Sequence, residues 1–273
     1  MKKAKLLLLL FSLTVVHLHG QQERGIIGSN NWLSGWSNFK PVTSDYSDTN
    51  KIISTRITTD YTLSNANTYL LQGKIYVTNN ATLTIEPGTV IRCETESISA
   101  LIITKGSKII CNGTNNNPIV FTSNKAAGER KQGDWGGIVI LGDAPMNTYG
   151  GSTNVKLDVE AEHRSYGGNN LQQNSGILKN VRIEFAGKGS DGYDNYNGLT
   201  FAGVGAQTKL EYIQVSNCSS KSFVFLGGNI VANNLVTYKS RDNDFLFTQG
   251  VQANLSNCLA IRNAFVSTAN GAR

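Results

Sequence analysis

Histidine is almost missing from this 273-residue chain, which has only 3. Two of them, His17 and His19, lie in the leader "MKKAKLLLLLFSLTVVHLHG" (1–20), where three lysines are followed by an apolar run. That run is too short to span a bilayer and has the form of a secretory signal. Once the leader is cut, His163 stands alone, which excludes a metal site built from several histidines of one chain. The 4 cysteines contain no Cys-x-x-Cys, so neither zinc nor dithiol redox chemistry is indicated. No cysteine follows the leader's apolar run, which argues against a lipid anchor. No later stretch is apolar for long enough to make a membrane helix. A strong charge excess is lacking too. The net charge of +6 is halved when Lys2, Lys3 and Lys5 leave with the signal, so nucleic acid is not an expected partner.

What the chain does have is glycine, 28 residues of it, with only 4 prolines and many Asn, Thr and Ser. From residue 67 onward short β-type runs alternate with Gly, Asn or Ser turns, and no long stretch has helical periodicity. Two of the runs repeat without a gap. In "ATLTIEPGTVIRCETESISALIITKGSKIIC" (81–111), Gly88 precedes Gly106 by 18 positions, as Cys93 precedes Cys111. Leu83, Ile85 and Ile91 answer Leu101, Ile103 and Ile109 in the same way. A later repeat sets Phe223 against Phe245 and Phe225 against Phe247, 22 positions on. "ANNLVTYKS" answers "LSNCLAIRN" at 23.

Repetition at this period marks a solenoid, because one coil cannot bury its own apolar face and must stack on the next. The expected fold is all-β: a right-handed parallel β-helix with loop insertions, of about 18–23 residues per coil. A β-sandwich also has many short strands but does not explain ungapped repetition. Leu83, Ile85, Ile91, Cys93, Leu101, Ile103, Ile109 and Cys111 are expected to face inward. Thr84, Glu86, Arg92, Thr104 and Lys108 are expected to face water. On this reading Cys93 lies directly above Cys111, and a disulfide and a reduced buried stack both remain open. Cys258 maps to the position of Leu235 and Ile213, while Cys218 falls in a turn, so no bridge joins them. Residues 21–66 read as a lead-in and N-terminal cap, and 67–273 as the β-helix. The C-terminus has no obvious cap, as expected of a fragment.

Three loops interrupt the pattern, at 124–134, 143–176 and 188–197, and solenoid binding sites often sit on such loops. Cleavage of acidic polysaccharides needs paired carboxylates, or a basic residue beside calcium held by carboxylates. Arg241, Asp242 and Asp244 share one turn and form the leading ligand-binding cluster. Asp191 and Asp194 flank Tyr193 in a Gly-rich loop that could hold calcium or a sugar, although the spacing matches no EF-hand-like loop and a plain loop is favoured. Trp135 could stack on a sugar ring, though packing under its loop is favoured. Glu184 is expected on an outer sheet face, paired with Arg182 or a neighbouring coil. His163, near Glu160, Glu162 and Arg164, reads as a surface histidine. No set of residues forms a convincing catalytic or metal site, and no cofactor is expected. Four Asn-x-Ser/Thr sites, beginning at Asn80, Asn112, Asn217 and Asn254, read as turn residues rather than glycosylation acceptors.

The phrases "ATLTIEPGTVIR", "NPIVFTS", "GDWGGIVILGDAPMN", "SYGG", "NSGILKNVRIEFAG", "NGLTFAGVG" and "LEYIQVS" together resemble a family. It comprises the secreted or outer-surface right-handed β-helix proteins of gram-negative bacteria that live on complex polysaccharides. The resemblance runs from about residue 67 to the end. It implies the same fold, an extracellular or outer-membrane location, and polysaccharide or cell-surface glycans as partners. It assigns no activity, since these proteins are mostly of unassigned function. The chain departs from the family at "SFVFLGG", where the resemblance implies an acidic residue and a Trp but the chain has Val224, Phe225 and Leu226. It departs again at "RDNDFLF", where a run of Asp is broken by Asn243 and Leu246, so an acid-dependent site of the family is not implied here. The combined expectation is a non-catalytic exported surface module for adhesion or glycan binding. A polysaccharide lyase or hydrolase and a structural stalk are the alternatives.

Overall fold

The computed structural model describes residues 31–265, and one compact unit begins at Ser34. Its short strands stack in parallel into three faces. Face 1 begins with Tyr61–Leu63, Thr82–Ile85 and Lys108–Asn112. Face 2 begins with Lys51–Ile53, Thr68–Leu71, Val90–Cys93 and Ile119–Ser123. Face 3 comprises Lys74–Val77, Ala100–Ile103, Gly137–Leu141, Leu199–Ala202, Phe223–Leu226 and Phe245–Thr248. In the later coils one bent strand crosses from face 1 to face 2, as in Gly176–Glu184, Lys209–Ser216, Asn229–Tyr238 and Gln252–Ile261. The bends fall at Asn180, Tyr212, Asn234 and Asn257, all left-handed at φ 50–58°. Asn tolerates that conformation. Tyr212 is a costly exception, and its ring packs edge-on against the buried Trp36 at 5.7 Å. The architecture is a parallel β-helix. Among the described residues no helix is long and apolar enough to cross a membrane.

All eight inward positions named from the sequence are buried in one core. The coil length is different, however. Leu83 pairs with Ile109 and Ile85 with Cys111, while Leu101 pairs with Ile75 and Ile138. The 18-residue repeat is therefore a shift by faces, not by one coil: residues 82–93 form faces 1 and 2, and residues 100–111 form faces 3 and 1. Every face has the same in-out alternation, and both corners use a left-handed glycine, Gly88 at φ 85° and Gly106 at φ 91°. The two kinds of shift therefore look alike in sequence. As a result Cys93 pairs with Ser123 on face 2, and Cys111 lies on face 1. Neither a disulfide nor a vertical stack joins them, and all four cysteines are free. Burial pushes the Cys93 and Cys111 thiols up, away from the reactive thiolate. Cys258 alone is exposed, so a thiol reagent is expected to label one cysteine in the native protein and four after denaturation, counted by intact mass.

The late repeat is one full coil. Phe223 pairs with Phe245 and Phe225 with Phe247, their rings stacked at 5.3 and 5.0 Å. Phe201 extends the second column below Phe225, also at 5.3 Å. Leu235 pairs with Cys258 and Ile213 with Leu235, as the sequence mapping placed them.

Residues 34–50 form a strap along the outside of face 2. Asn38 exchanges hydrogen bonds with the Gln214 side chain at 2.7 and 2.8 Å, and Phe39 meets Tyr238 edge-on at 5.1 Å. Arg130 donates to the carbonyls of Pro41 and Ser44 at 3.1 and 2.7 Å and lies over the Tyr46 ring. The Tyr46 hydroxyl contacts both Glu184 carboxylate oxygens at 3.0 Å. Arg92 donates to the Ser47 carbonyl and pairs with Asp48, each at 3.2 Å. The strap corrects the expectation that Arg92 and Glu184 meet water: they are only 7% and 1% exposed. Thr104 is buried as well, because its hydroxyl donates to the Val77 carbonyl at 2.8 Å. Lys108 is exposed as expected, and Thr84 and Glu86 are half-buried.

Candidate functional site

Residues 143–175 are inserted between the face 3 strand Gly137–Leu141 and the strand Gly176–Glu184, which starts on face 1, and they fold back over the early strands of face 3. The insertion contains an antiparallel ribbon, Ser152–Asn154 paired with Ser165–Gly167. It is anchored by Ala144 N–H to the Gly203 carbonyl at 2.8 Å and by Gly228 N–H to the Pro145 carbonyl at 2.7 Å. Met146, Val155, Leu157, Val159 and Tyr166 bury against the outward side chains Tyr76, Ile102, Val139 and Leu141, forming a second apolar core. This core stops before the last coils. There Thr200, Val224, Leu226, Leu246 and Thr248 form the floor of a groove of about 790 Å³. One wall is the insertion (153–157) with Tyr193, Asp194 and Asn195; the other is Ser219, Ser220, Lys221, Arg241 and Asp242. Such a volume with mixed apolar and polar lining lies in the range of ligand sites.

The structure gathers four of the sequence candidates into this groove: Tyr193, Asp194, Arg241 and Asp242. Tyr193 is 47% exposed, which leaves ring surface available. Asp242 pairs with Lys221 at 3.0 Å. Asp244 is not with them, for the chain turns inward after Asp242. Asp244 is buried at 1% exposure, bonded by Arg262 and the Thr237 hydroxyl. Asp191 is exposed on its loop and does not line the groove. Trp135 is fully buried, stacked on Phe121 at 6.3 Å, and its indole N–H donates to the Glu184 carbonyl at 2.7 Å. It cannot stack on a sugar.

The groove also uses Lys156, Lys221, Asn195 and Gln249, which no motif singled out. The sequence signal for Lys156 and Asn195 was only the position of the interrupting loops, and Lys221 and Gln249 lie outside those loops. Calcium takes six to eight oxygens, and the groove offers two carboxylates, one already paired with Lys221. The three-ligand grouping lies elsewhere, at Glu160, Glu162 and His163, within 4.8 Å of one another. Arg56 already pairs with both carboxylates there. His163 itself is half-buried against Tyr76, ring centroids 5.2 Å apart.

Residues 55–271 match the pectate-lyase-like β-helix domain, and the chain belongs to that family. No curated protein and no solved structure matches it significantly.

Proposed function

We propose that this is a non-catalytic, exported β-helix protein that holds a glycan chain in the face 3 groove. The leader supports export. The observation that carries the binding reading is the groove itself. An apolar floor of Val224, Leu226 and Leu246 and the half-exposed Tyr193 ring suit the faces of sugar rings. Asn195, Ser219, Ser220, Thr248 and Gln249 supply hydrogen-bonding groups along the same surface.

The placement of the acids supports the non-catalytic reading. Glycoside hydrolysis needs two carboxyl groups flanking the bond. Asp244 is buried with Arg262 and Thr237, and Asp242 pairs with Lys221, which leaves Asp194 as the other carboxylate of the groove lining. The test is binding and product release against purified anionic and neutral polysaccharides, with and without calcium. Binding without products is expected, with Tyr193→Ala weakening affinity about tenfold, the equivalent of one lost ring contact. New reducing ends or unsaturated products would replace this reading with a hydrolase or lyase. Neither binding nor products would leave a structural stalk.

A further inference from the structure

The insertion carries a second depression beside the groove, of about 620 Å³. The two share Asn154, Val155, Lys156, Tyr193 and Asp194, and the second adds Arg164 and Gly192. They therefore meet along a common ridge. Lys156 and Arg164 come from the two arms of the insertion ribbon, which Val155 N–H joins by donating to the Arg164 carbonyl at 2.9 Å.

The acids around these cations are committed elsewhere. Asp158 pairs with Lys74 at 3.0 Å and accepts from the Ser190 hydroxyl at 3.1 Å. Glu160 and Glu162 pair with Arg56. Among the described residues no carboxylate forms an ion pair with Lys156 or Arg164. The Arg164 Nε is also buried without a hydrogen-bond acceptor. Asp194 is the one carboxylate in the lining, so the depression carries a net positive charge. A buried guanidinium N–H lacking an acceptor is costly, and its planar fork matches a carboxylate or sulfate.

We propose that this depression is an oxyanion subsite, which takes a carboxylate or sulfate ester carried by the glycan in the adjoining groove. The proposal rests on the glycan reading of that groove. Lys156 supplies an exposed point charge, and Arg164 a half-buried directional donor.

The experiment is titration calorimetry of the full chain with three hexamers. One is a 1,4-linked galacturonate, one is the same chain with its carboxyls reduced to alcohols, and one is the reduced chain bearing sulfate esters. The wild type is expected to bind at least one anionic hexamer more tightly than the reduced one, with an advantage that shrinks as salt is added. Arg164→Gln is expected to weaken the preferred anionic hexamer about tenfold and to leave the reduced hexamer within about twofold. Lys156→Gln, at a residue that also lines the groove, is expected to weaken the anionic hexamer more than the reduced one. Whichever anion gains more is the one that the site prefers; equal gains mean that the site reads the shared oxyanion. Because Lys156 is exposed, Lys156→Gln keeps the test valid should Arg164→Gln fail to fold. Equal loss for all three hexamers, or no anionic preference in the wild type, overturns the subsite and leaves the groove reading standing. Absence of binding by every hexamer overturns both.

Discussion

Trp135→Ala is expected to destabilise the protein by about 3–5 kcal/mol, enough to threaten folding outright. The indole is fully buried in the main core beside Phe121. Its loss leaves a cavity that the stacked coils cannot collapse to fill, because each strand is fixed by ladders on both sides. It also removes the donor to the Glu184 carbonyl, adding the cost of an unpaired buried acceptor. Trp135→Phe should retain most of the packing and lose much less. Urea denaturation of the three proteins measures this. Equal midpoints for wild type and Trp135→Ala would contradict the packing role, as would a selective loss of glycan affinity at unchanged stability.

Glu184→Ala is the second large effect, expected at about 3–5 kcal/mol on the scale for breaking a buried charged network. The carboxylate receives the Tyr46 and Thr122 hydroxyls and lies 3.7 Å from Arg182. Removing it strips the strap's central anchor and leaves the guanidinium groups of Arg182 and Arg130 without their shared counter-charge. Burial raises the Glu184 pKa, opposed by Arg182, Thr122, Tyr46 and Arg130. A raised carboxyl pKa means that the folded state favours the protonated form. Its stabilising contribution is therefore complete below the unfolded pKa and is lost as pH rises through the folded value. Glu184→Gln should keep the shape, lose less stability than Glu184→Ala, and flatten this part of the pH profile. Melting temperatures across the acid-to-neutral range test it. An unchanged slope in Glu184→Gln would show that another group governs the dependence.

The fold was legible because two-residue alternation and turn glycines recur along the chain. Leu83, Ile85, Leu101 and Ile103 gave the correct inner surface. The coil length was not legible, because three faces with the same alternation make a two-face shift resemble a one-coil shift. That ambiguity placed Cys93 above Cys111 when they occupy different faces. The strap was hidden for another reason. Its contacts, such as Asn38 with Gln214 and Tyr46 with Glu184, join residues 176 and 138 positions apart through single side chains that follow no period. The groove was half legible. The 188–197 loop and the turn at 241–242 both reach it, but only the three-dimensional course of the insertion shows which polar residues stand opposite them.

The insertion leaves the ladders on either side of it intact. Leu141, just before it, pairs with Ala202 on face 3, and Gly176, just after it, pairs with Ile109 on face 1. The register of the rungs is therefore set without the insertion, whose own contribution is the apolar cover over Tyr76, Ile102, Val139 and Leu141. A change of length in this segment is absorbed outside the rungs, provided that the residues covering face 3 stay apolar.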